Sequence, residues 1–378
     1  GFNSMYHTIR PGEVRPVSSE SSINLALLQR RYSWENGLYF TNNWKAGDRL
    51  ELTYGLRLTS FSILGAGDFF GMDDNGVVTD TLHYTKGQFV RTYINPEPRL
   101  AMSFQLNHSN SLKASYVRNV QNLHLISNST TSSPTDKWVA STNIIKPEVS
   151  DLWAIGYYQN LWDNRYELTI ENYYKTMTNQ IDYRDGANVF QNSDAIETQL
   201  LFGIGRAYGA ELQLKKRNGR LTGWLSYTLS RTERRIAGIN NDKWYNARQD
   251  RTHDIAVVLS YQLNKKWILS GNWVYYTGNA VTFPAGKYTI DDQTYFYYTE
   301  RNGYRMPAYH RLDLGVTWIL KQRGRLTSEL NFSVYNAYGR ENAYTISFRE
   351  NKENPNETEA VQLALFKYIP SVSYNFKF

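Results

Sequence analysis

The chain has 378 residues, a net charge of +7 and an aromatic content of 15%, with 30 tyrosines against 16 phenylalanines. It has no cysteine, which excludes disulfides and thiolate metal sites, and no apolar stretch reaches the roughly 18 residues of a membrane-spanning helix. The mild charge, without a long basic run, gives no indication of nucleic-acid binding, and the abundant tyrosine suits a boundary between lipid and water.

Apolar and polar residues alternate, with a period of two, in many stretches along the chain. Between Leu50 and Phe61 apolar side chains alternate with polar ones, and the same alternation returns over 253–263 and 312–320. Strict alternation gives a strand one apolar face and one polar face. These runs are longer than an ordinary strand and match the roughly 9–11 residues with which a tilted strand crosses a bilayer.

The alternation predicts about thirteen strands, separated by connections that are in turn short and long. Their predicted ranges are 34–45, 49–62, 92–106, 111–122, 149–162, 165–178, 204–217, 220–232, 251–263, 266–277, 308–320, 325–339 and 362–378. Residues 1–33 are predicted to be an external loop at the start of a fragment, although 22–33 is a candidate for a fourteenth strand. Residues 34–378 are predicted to form part of a transmembrane β-barrel with long external loops.

The connections predict which end of the strands lies on the external side of the membrane. Short links such as Asn218-Gly219 suit tight hairpins, because Asn and Gly tolerate the positive φ that these turns need. Long polar stretches such as 63–91 and 278–307 lie between them, which is the layout of an outer-membrane barrel, and their uneven spacing argues against a propeller. Thirteen is an odd number, whereas single-chain bacterial barrels have an even one, and an open set of strands leaves unpaired edges in lipid. We therefore expect further strands from an N-terminal part, from another copy or from unrecognised strands of this chain.

The end of the chain alternates aromatic residues, with Tyr374, Phe376 and Phe378 on one face. A last strand that ends on an aromatic residue resembles the signal read by the barrel-assembly machinery of outer membranes. With five upstream segments, it makes the chain resemble the C-terminal half of a TonB-dependent receptor of the Bacteroidetes type. Those segments are Asn95–Leu100, Ile145–Glu148 leading into Trp153–Tyr157, Arg206–Leu212, Tyr309–Leu314 and Asn331–Asn336.

The resemblance implies an all-β membrane protein, an antiparallel transmembrane β-barrel of about 22 strands whose lumen holds an N-terminal plug. The plug and the first strands would lie outside this chain. The resemblance also implies active import across the bacterial outer membrane of a scarce ligand such as a siderophore, cobalamin, peptide or glycan. The implied partners are outer-membrane lipid, the plug with the remaining strands, the TonB–ExbB–ExbD complex acting through the plug, and in some relatives a surface lipoprotein.

The aromatic residues divide into two predicted groups. One group lies near strand ends on the apolar face and is predicted to meet the membrane interface: Tyr54, Trp267, Trp273, Trp318 and Phe378. The other lies in the external loops and is predicted to contact the ligand, because planar rings with few rotors bind at little entropic cost. Its members are Phe69, Phe70, Trp138, Trp244, Tyr245, Tyr295 and Tyr297. Alternatively, the loop rings pack into a small core that caps the barrel, or contact a partner lipoprotein.

No residue pattern indicates catalysis, a cofactor or a bound metal. The six histidines are dispersed without His-x-His or HExxH spacing, and no GxSxG motif or convergent Ser–His–acid set occurs. Inward positions such as Arg57, Glu171 and Asp313 carry both signs of charge and are predicted to line the lumen. Two other functions stay open: a passive porin with an unobstructed lumen, and a structural or adhesion barrel whose loops bind a partner.

Overall fold

The computed structural model describes residues 1–10, 13–14, 26–27, 29–73, 76–127, 136–187, 195–290, 293–323, 326–351, 353–354 and 357–378. Their regular structure is almost entirely β-strand. Two short 3₁₀ turns, Ile196–Gln199 and Asn240–Asp242, are the helical elements in these ranges. Across the same ranges, no helix has the length and apolar character needed to cross a membrane.

One large antiparallel sheet, called the wall below, contains fifteen described strands, of which fourteen lie on a single path. These fourteen are β1 (Phe2–Ile9), β2 (Arg31–Ala46), β3 (Leu50–Leu64), β4 (Phe89–Gln105), β5 (Asn110–Gln121), β6 (Glu148–Leu161), β7 (Tyr166–Tyr183), β8 (Leu200–Lys216), β9 (Leu221–Ile236), β10 (His253–Gln262), β11 (Trp267–Tyr276), β12 (Tyr309–Arg323), β13 (Leu326–Tyr335) and β14 (Ile369–Lys377). Each pairs with the next in chain order, and Tyr245–Asn246 pairs beside the loop end of β9. The predicted all-β antiparallel architecture is confirmed.

The start of the chain corrects the prediction that 1–33 is an external loop. Within it, β1 pairs with β2 along its whole length, from Phe2 opposite Leu38 to Ile9 opposite Arg31. The strand was missed because Ser4 and Thr8 share the face of Phe2, so that neither face reads as uniformly apolar. The single path of the wall therefore has fourteen strands, one more than the thirteen predicted, and Tyr245–Asn246 adds a fifteenth beside it.

The last strand is shorter than the predicted range 362–378. Its partner β13 ends at Tyr335, because Asn336 adopts a φ of 55° and donates its N–H to Asp313 Oδ1 at 2.9 Å. With no ladder partner before Ile369, the wall strand begins there. Residues Thr358–Leu363 instead pair with Thr345–Glu350 in a loop hairpin.

The two faces of the wall differ in polarity. Exposed apolar side chains such as Leu58, Leu100 and Phe332 occupy the outward positions. The inward positions carry ion pairs, and the Arg57 guanidinium lies 3.8 Å from Glu35 and 3.7 Å from Glu97. An apolar outer face around a polar interior is the pattern of a membrane barrel. Among the described residues β1 and β14 each have one partner strand, so the wall is an open sheet with two edges.

The two ends of the wall also differ. Tight turns close one end, as at Asp163 and Asn164, which have φ of 55° and 63°, whereas additional hairpins project from the other end, called the loop end below. These hairpins are Gly67–Met72 with Val78–Tyr84, Leu123–Ile126 with Lys137–Ala140, Gly286–Ile290 with Gln293–Tyr297 and Thr345–Glu350 with Thr358–Leu363; shorter pairs are Glu13–Val14 with Ala26–Leu27 and Ala280–Val281 with Tyr304–Arg305. The buried apolar clusters also lie at the loop end, around Phe61, Ile145 and Ile236. Packing therefore orders the loops above the wall.

Candidate functional site

A cavity of about 960 Å³ opens among the loops at the loop end of the wall. Its lining comes from stretches far apart in the sequence, within 121–127, 175–187, 234–249 and 296–302. The charged side chains that line it are Glu148, Lys175, Asp182, Arg184, Asp185, Arg234, Arg248, Glu300 and Arg301. A cleft of this size with convergent polar groups at a barrel mouth is a typical small-molecule site.

Arg301 holds one side of the cavity together. Its guanidinium donates to Asp182 Oδ1 at 2.7 Å, to Asp185 Oδ1 at 2.5 Å and to the carbonyl oxygen of Tyr183 at 2.9 Å. Tyr245 donates its hydroxyl to the second oxygen of Asp182 at 2.9 Å. Burial alone would lower the pKa of Arg301, but the charges of Asp182 and Asp185 outweigh it and raise this pKa. These groups therefore satisfy one another's hydrogen bonds and form one side of the cavity lining.

Arg234 reaches the cavity from the end of β9 with part of its guanidinium unsatisfied. One Nη1 hydrogen bond goes to the carbonyl oxygen of Ile181 at 3.1 Å, whereas Nε is buried and has no hydrogen-bond partner among the described residues. Arg248 is close enough to feel this charge: burial lowers the pKa of Arg248, and Arg234 lowers it further. Two positive groups held together in a desolvated place are stabilised by an arriving anion. The lining also carries the carboxylates of Glu148, Asp182, Asp185 and Glu300, so the feature that would attract an anion is the unsatisfied Nε of Arg234 and not the net charge of the cavity.

His124 lies at the edge of the same cavity on a loop hairpin. Its Nε2 is 3.0 Å from Ser141 Oγ, and its Nδ1 lies 3.7 Å from Glu148 Oε1. Burial lowers the pKa of His124 to about 4. The imidazole is therefore neutral at physiological pH and adds no positive charge to the cavity.

Three of the predicted ligand contacts are buried in this structure. Phe69 and Phe70 are only 1% and 8% exposed, and the guanidinium carbon of Arg31 lies 4.2 Å from the Phe69 ring centre. Tyr245 is buried as well and is engaged with Asp182. Buried rings cannot meet a ligand without rearrangement; Phe69 and Tyr245 belong to buried apolar clusters, and ligand contact by these three residues stays a prediction.

The other predicted ligand residues are more exposed and lie in different places. Tyr297 lines the cavity, and it alone of the seven predicted residues does so. Tyr295 stacks on Tyr288 in the same hairpin, with 5.7 Å between ring centres. Trp138 is exposed on a separate hairpin, and Trp244 lies on the outward side of the wall. The loop aromatics therefore do not form a single site.

The predicted interface aromatics all lie on the outward face. Trp267 and Trp318 are paired across β11 and β12 near the short turns and stack with 5.3 Å between ring centres. Trp273 follows on the same face of β11, and Tyr54 accepts a hydrogen bond from Asn42 at 2.9 Å. Phe378 is 87% exposed beside Phe376. Their role at the membrane interface stays a prediction.

The charged residues that define the cavity were not predicted from the sequence. Arg234 lies beyond the predicted strand 220–232, and continuing the period of two through the longer strand Leu221–Ile236 places Arg234 inward and Arg235 outward. No comparable signal links Asp182 with Arg301, which are 119 residues apart. Their proximity depends on how the loops fold over the wall.

The family model described as TonB dependent receptor-like, beta-barrel matches residues 6–337. The chain belongs to this family. TonB-dependent receptor barrels are proteins of the outer membrane, so the apolar outward face of the wall lies against outer-membrane lipid. No curated protein sequence matches the chain.

Solved structures of TonB-dependent receptors share the fold. The copper transporter OprC is 14% identical, with a TM-score of 0.60, and the match covers 100% of this chain and 53% of OprC. The ferric-catecholate import receptor Fiu from E. coli is 15% identical, with a TM-score of 0.56 and coverage of 99% and 51%. The iron transporter FrpB from Neisseria meningitidis is 17% identical, with a TM-score of 0.56 and coverage of 93% and 46%. The chain thus spans about half the length of these proteins.

Proposed function

We propose that this TonB-dependent receptor barrel takes part in active import of a scarce anionic ligand, which binds at the loop end before it crosses the lumen. The observation that supports it is the unsatisfied Nε of Arg234 beside Arg248 in a polar cavity of about 960 Å³. Import rather than chemistry agrees with the family, whose members are receptors and transporters. An N-terminal plug pulled by a TonB–ExbB–ExbD complex would open the path.

The ligand class follows from the unsatisfied Nε of Arg234. A metal chelate with carboxylate or catecholate groups presents several negative oxygens, which pair with guanidinium groups through charge-assisted hydrogen bonds. The solved relatives support this choice, since one imports ferric catecholate and another transports iron. The cargo would therefore be a metal ion carried within an anionic organic chelate.

Uptake by cells that produce the receptor tests this proposal. Radioactive ferric dihydroxybenzoate and ferric citrate serve as anionic probes, and cobalamin serves as a probe of different chemistry. One of the two anionic probes is expected to be transported. Arg234→Gln should weaken the binding of that probe by roughly tenfold, which is the effect of losing one charge-assisted hydrogen bond. Arg349→Gln is the matched control, because Arg349 pairs with Glu359 on a hairpin that does not line the cavity.

A protonophore separates import from passive diffusion. Active import stops when the proton-motive force collapses, whereas a porin continues to pass the probe. Uptake that persists would overturn the importer proposal, and equal loss in Arg234→Gln and Arg349→Gln would overturn the assigned site.

We also propose that the receptor is of the Bacteroidetes type and that a surface lipoprotein caps its loops. The hairpin Gly286–Ile290 with Gln293–Tyr297 supports the lipoprotein cap, because Tyr288 and Tyr297 are 49% and 55% exposed there; the Bacteroidetes type rests on the sequence segments named above. Aromatic rings are enriched at protein interfaces, because they supply a large contact area and lose little conformational entropy on binding. Co-purification from membranes after replacing both tyrosines by Ser tests it, and an unchanged set of partners would contradict it.

A further inference from the structure

A row of stacked rings crosses four strands on the outward face of the wall. Tyr116 of β5 contacts Trp153 of β6, Trp153 contacts Tyr174 of β7, and Tyr174 stacks on Tyr208 of β8, with 5.5, 6.4 and 6.3 Å between successive ring centres. Each pair is directly opposite in the ladder. Below this row, toward the short turns, come apolar positions such as Leu212 and Leu214. Such a row marks the edge of the hydrocarbon layer.

The next outward position toward the loops is charged on most of these strands. Arg118 and Asp151 form a bidentate pair at 2.7 and 3.0 Å. Thr176 lies between Asp151 and Arg206, and Arg206 is opposite Glu233. Two residues of strand rise place this second row about 7 Å above the rings. That is the depth at which headgroups replace acyl chains.

Three arginines gather at one end of the charged row. Arg206 and Arg231 both donate to Glu233, through closest contacts of 2.7 Å each, and the Glu233 side chain is 3% exposed between them. Trp244 covers the group, with its ring centre 4.2 Å from the guanidinium carbon of Arg206 and 5.4 Å from that of Arg235. One carboxylate against three guanidiniums leaves an excess of two positive charges.

The cluster stays accessible from outside. Arg231 is 56% exposed at its side chain and Arg235 is also exposed. Among the described residues, Arg235 forms no ion pair. The outward direction of Arg235 follows from its place opposite Ile204, on the same face as Tyr208. Excess positive charge thus points sideways from the barrel at headgroup depth, away from the lumen.

We propose that Arg206, Arg231 and Arg235, covered by Trp244, bind the phosphate group of an outer-leaflet lipid. Guanidinium groups pair with phosphate oxygens through two parallel hydrogen bonds, and cations next to the hydrocarbon boundary attract anionic headgroups. The acyl chains of the lipid then lie along the aromatic row and the apolar strip below it. The site is independent of the proposed import, because the lumen does not contribute to it.

Native mass spectrometry of the receptor purified from outer membranes tests this site. The solubilised protein is titrated with bisphosphorylated lipid A, with the same lipid after removal of its phosphates, and with inorganic phosphate. Arg231→Gln with Arg235→Gln is the test variant. Lys265→Gln with Lys266→Gln removes the same charge at an exposed short turn at the opposite end of the wall and is the control. Heat-dependent mobility in detergent gels checks that each barrel is folded.

We expect the unchanged receptor to bind the phosphorylated lipid at least tenfold more tightly than the dephosphorylated one. In the test variant the affinity for the phosphorylated lipid should fall by roughly tenfold or more, so that the two lipids bind alike. The control variant should keep the difference. Equal binding of both lipids, or an unchanged test variant, overturns the proposal. Binding of inorganic phosphate as tight as that of the lipid overturns the lipid as its source. If the double variant does not fold, Arg235→Gln alone decides, because it leaves the pairs with Glu233 in place.

Discussion

Arg301 and Asp182 form an ion pair at 2.7 Å although 119 residues separate them in the chain. The pair joins the loop before β12 to the end of β7. Both side chains are mostly buried, at 18% and 16% exposure. The contact therefore ties this loop to the end of β7.

Breaking this tie is expected to loosen the loop around 280–305. Asp182→Asn leaves a buried guanidinium without its main partner, which costs about 1–3 kcal/mol of local stability. Asp185→Asn is the matched change at the same arginine, and it is expected to cost less than about 1 kcal/mol because Asp185 is 69% exposed. Hydrogen exchange in 280–305 measures the difference. Equal protection in the two variants would contradict the tie.

His124 predicts a pH dependence of the loop hairpin that carries it. Its pKa is about 4 in the folded protein against 6.5 for the ordinary side chain, because burial disfavours the charged form. The unfolded chain therefore takes up a proton as the pH falls below about 6.5 while the folded hairpin does not. Stability is complete above that pH and declines by about 2–3 kcal/mol as the pH approaches 4.

Hydrogen exchange of 123–127 and 137–140, corrected for intrinsic rates, follows this loss between pH 7.5 and 4.5. His124→Gln keeps a hydrogen-bonding group near Ser141 and removes the titration, so its hairpin should lack this part of the pH dependence. Glu148 lies 3.7 Å from the imidazole and is the titrating group that forms an ion-pair contact with it. A variant with the same pH profile as the wild type would show that Glu148 is responsible instead.

Two adjacent valines test which face of the wall meets lipid. Val257 lies on the outward face of β10 opposite Trp273, and Val258 lies on the inward face opposite Asn272. Val257→Arg is expected to cost about 2–4 kcal/mol, because it places a charge in hydrocarbon. Val258→Arg points into the polar lumen and should cost clearly less. Urea unfolding in lipid vesicles measures both, and equal costs would contradict the assignment of faces.

Phe69 and Tyr297 separate packing from ligand contact. Phe69 is 1% exposed, so Phe69→Ala is expected to lower stability by about 3–5 kcal/mol through loss of burial and the cavity left behind. Tyr297→Ala changes an exposed ring that lines the cavity, so its stability should stay within about 0.5 kcal/mol while ligand binding weakens. Thermal unfolding and ligand titration of both variants decide, and the reverse pattern would overturn both assignments.

The wall was largely predictable because its signal is local. Alternation in a range such as Leu50–Leu64 reports the environment of each residue directly, since one face meets lipid and the other the lumen. The prediction was wrong where that contrast is weak, as in Phe2–Ile9. It also misplaced the start of β14, because the limit is set by Asn336 in another strand.

The cavity was predictable only in part. Rings were assigned to ligand contact because they stand out in loops, yet Phe69 and Tyr245 are buried by contacts with residues distant in sequence. Arg234 lies two residues beyond the predicted strand 220–232, and its inward position follows only because the strand continues to Ile236. Arg234, Arg248 and Arg301 come together only because several loops fold against one another. A single sequence contains no local pattern that predicts such long-range contacts.

Along the fourteen-strand path of the wall, every strand between the two edges is bonded to the path strands before and after it in the chain, and the long loops leave from one end. A loop can therefore be lengthened, shortened or exchanged without disturbing any ladder elsewhere, and a longer loop costs little closure entropy. Natural selection can then vary the loops and the wall at different rates. The outer segments can therefore change what they contact, while the strand ladders below them stay the same.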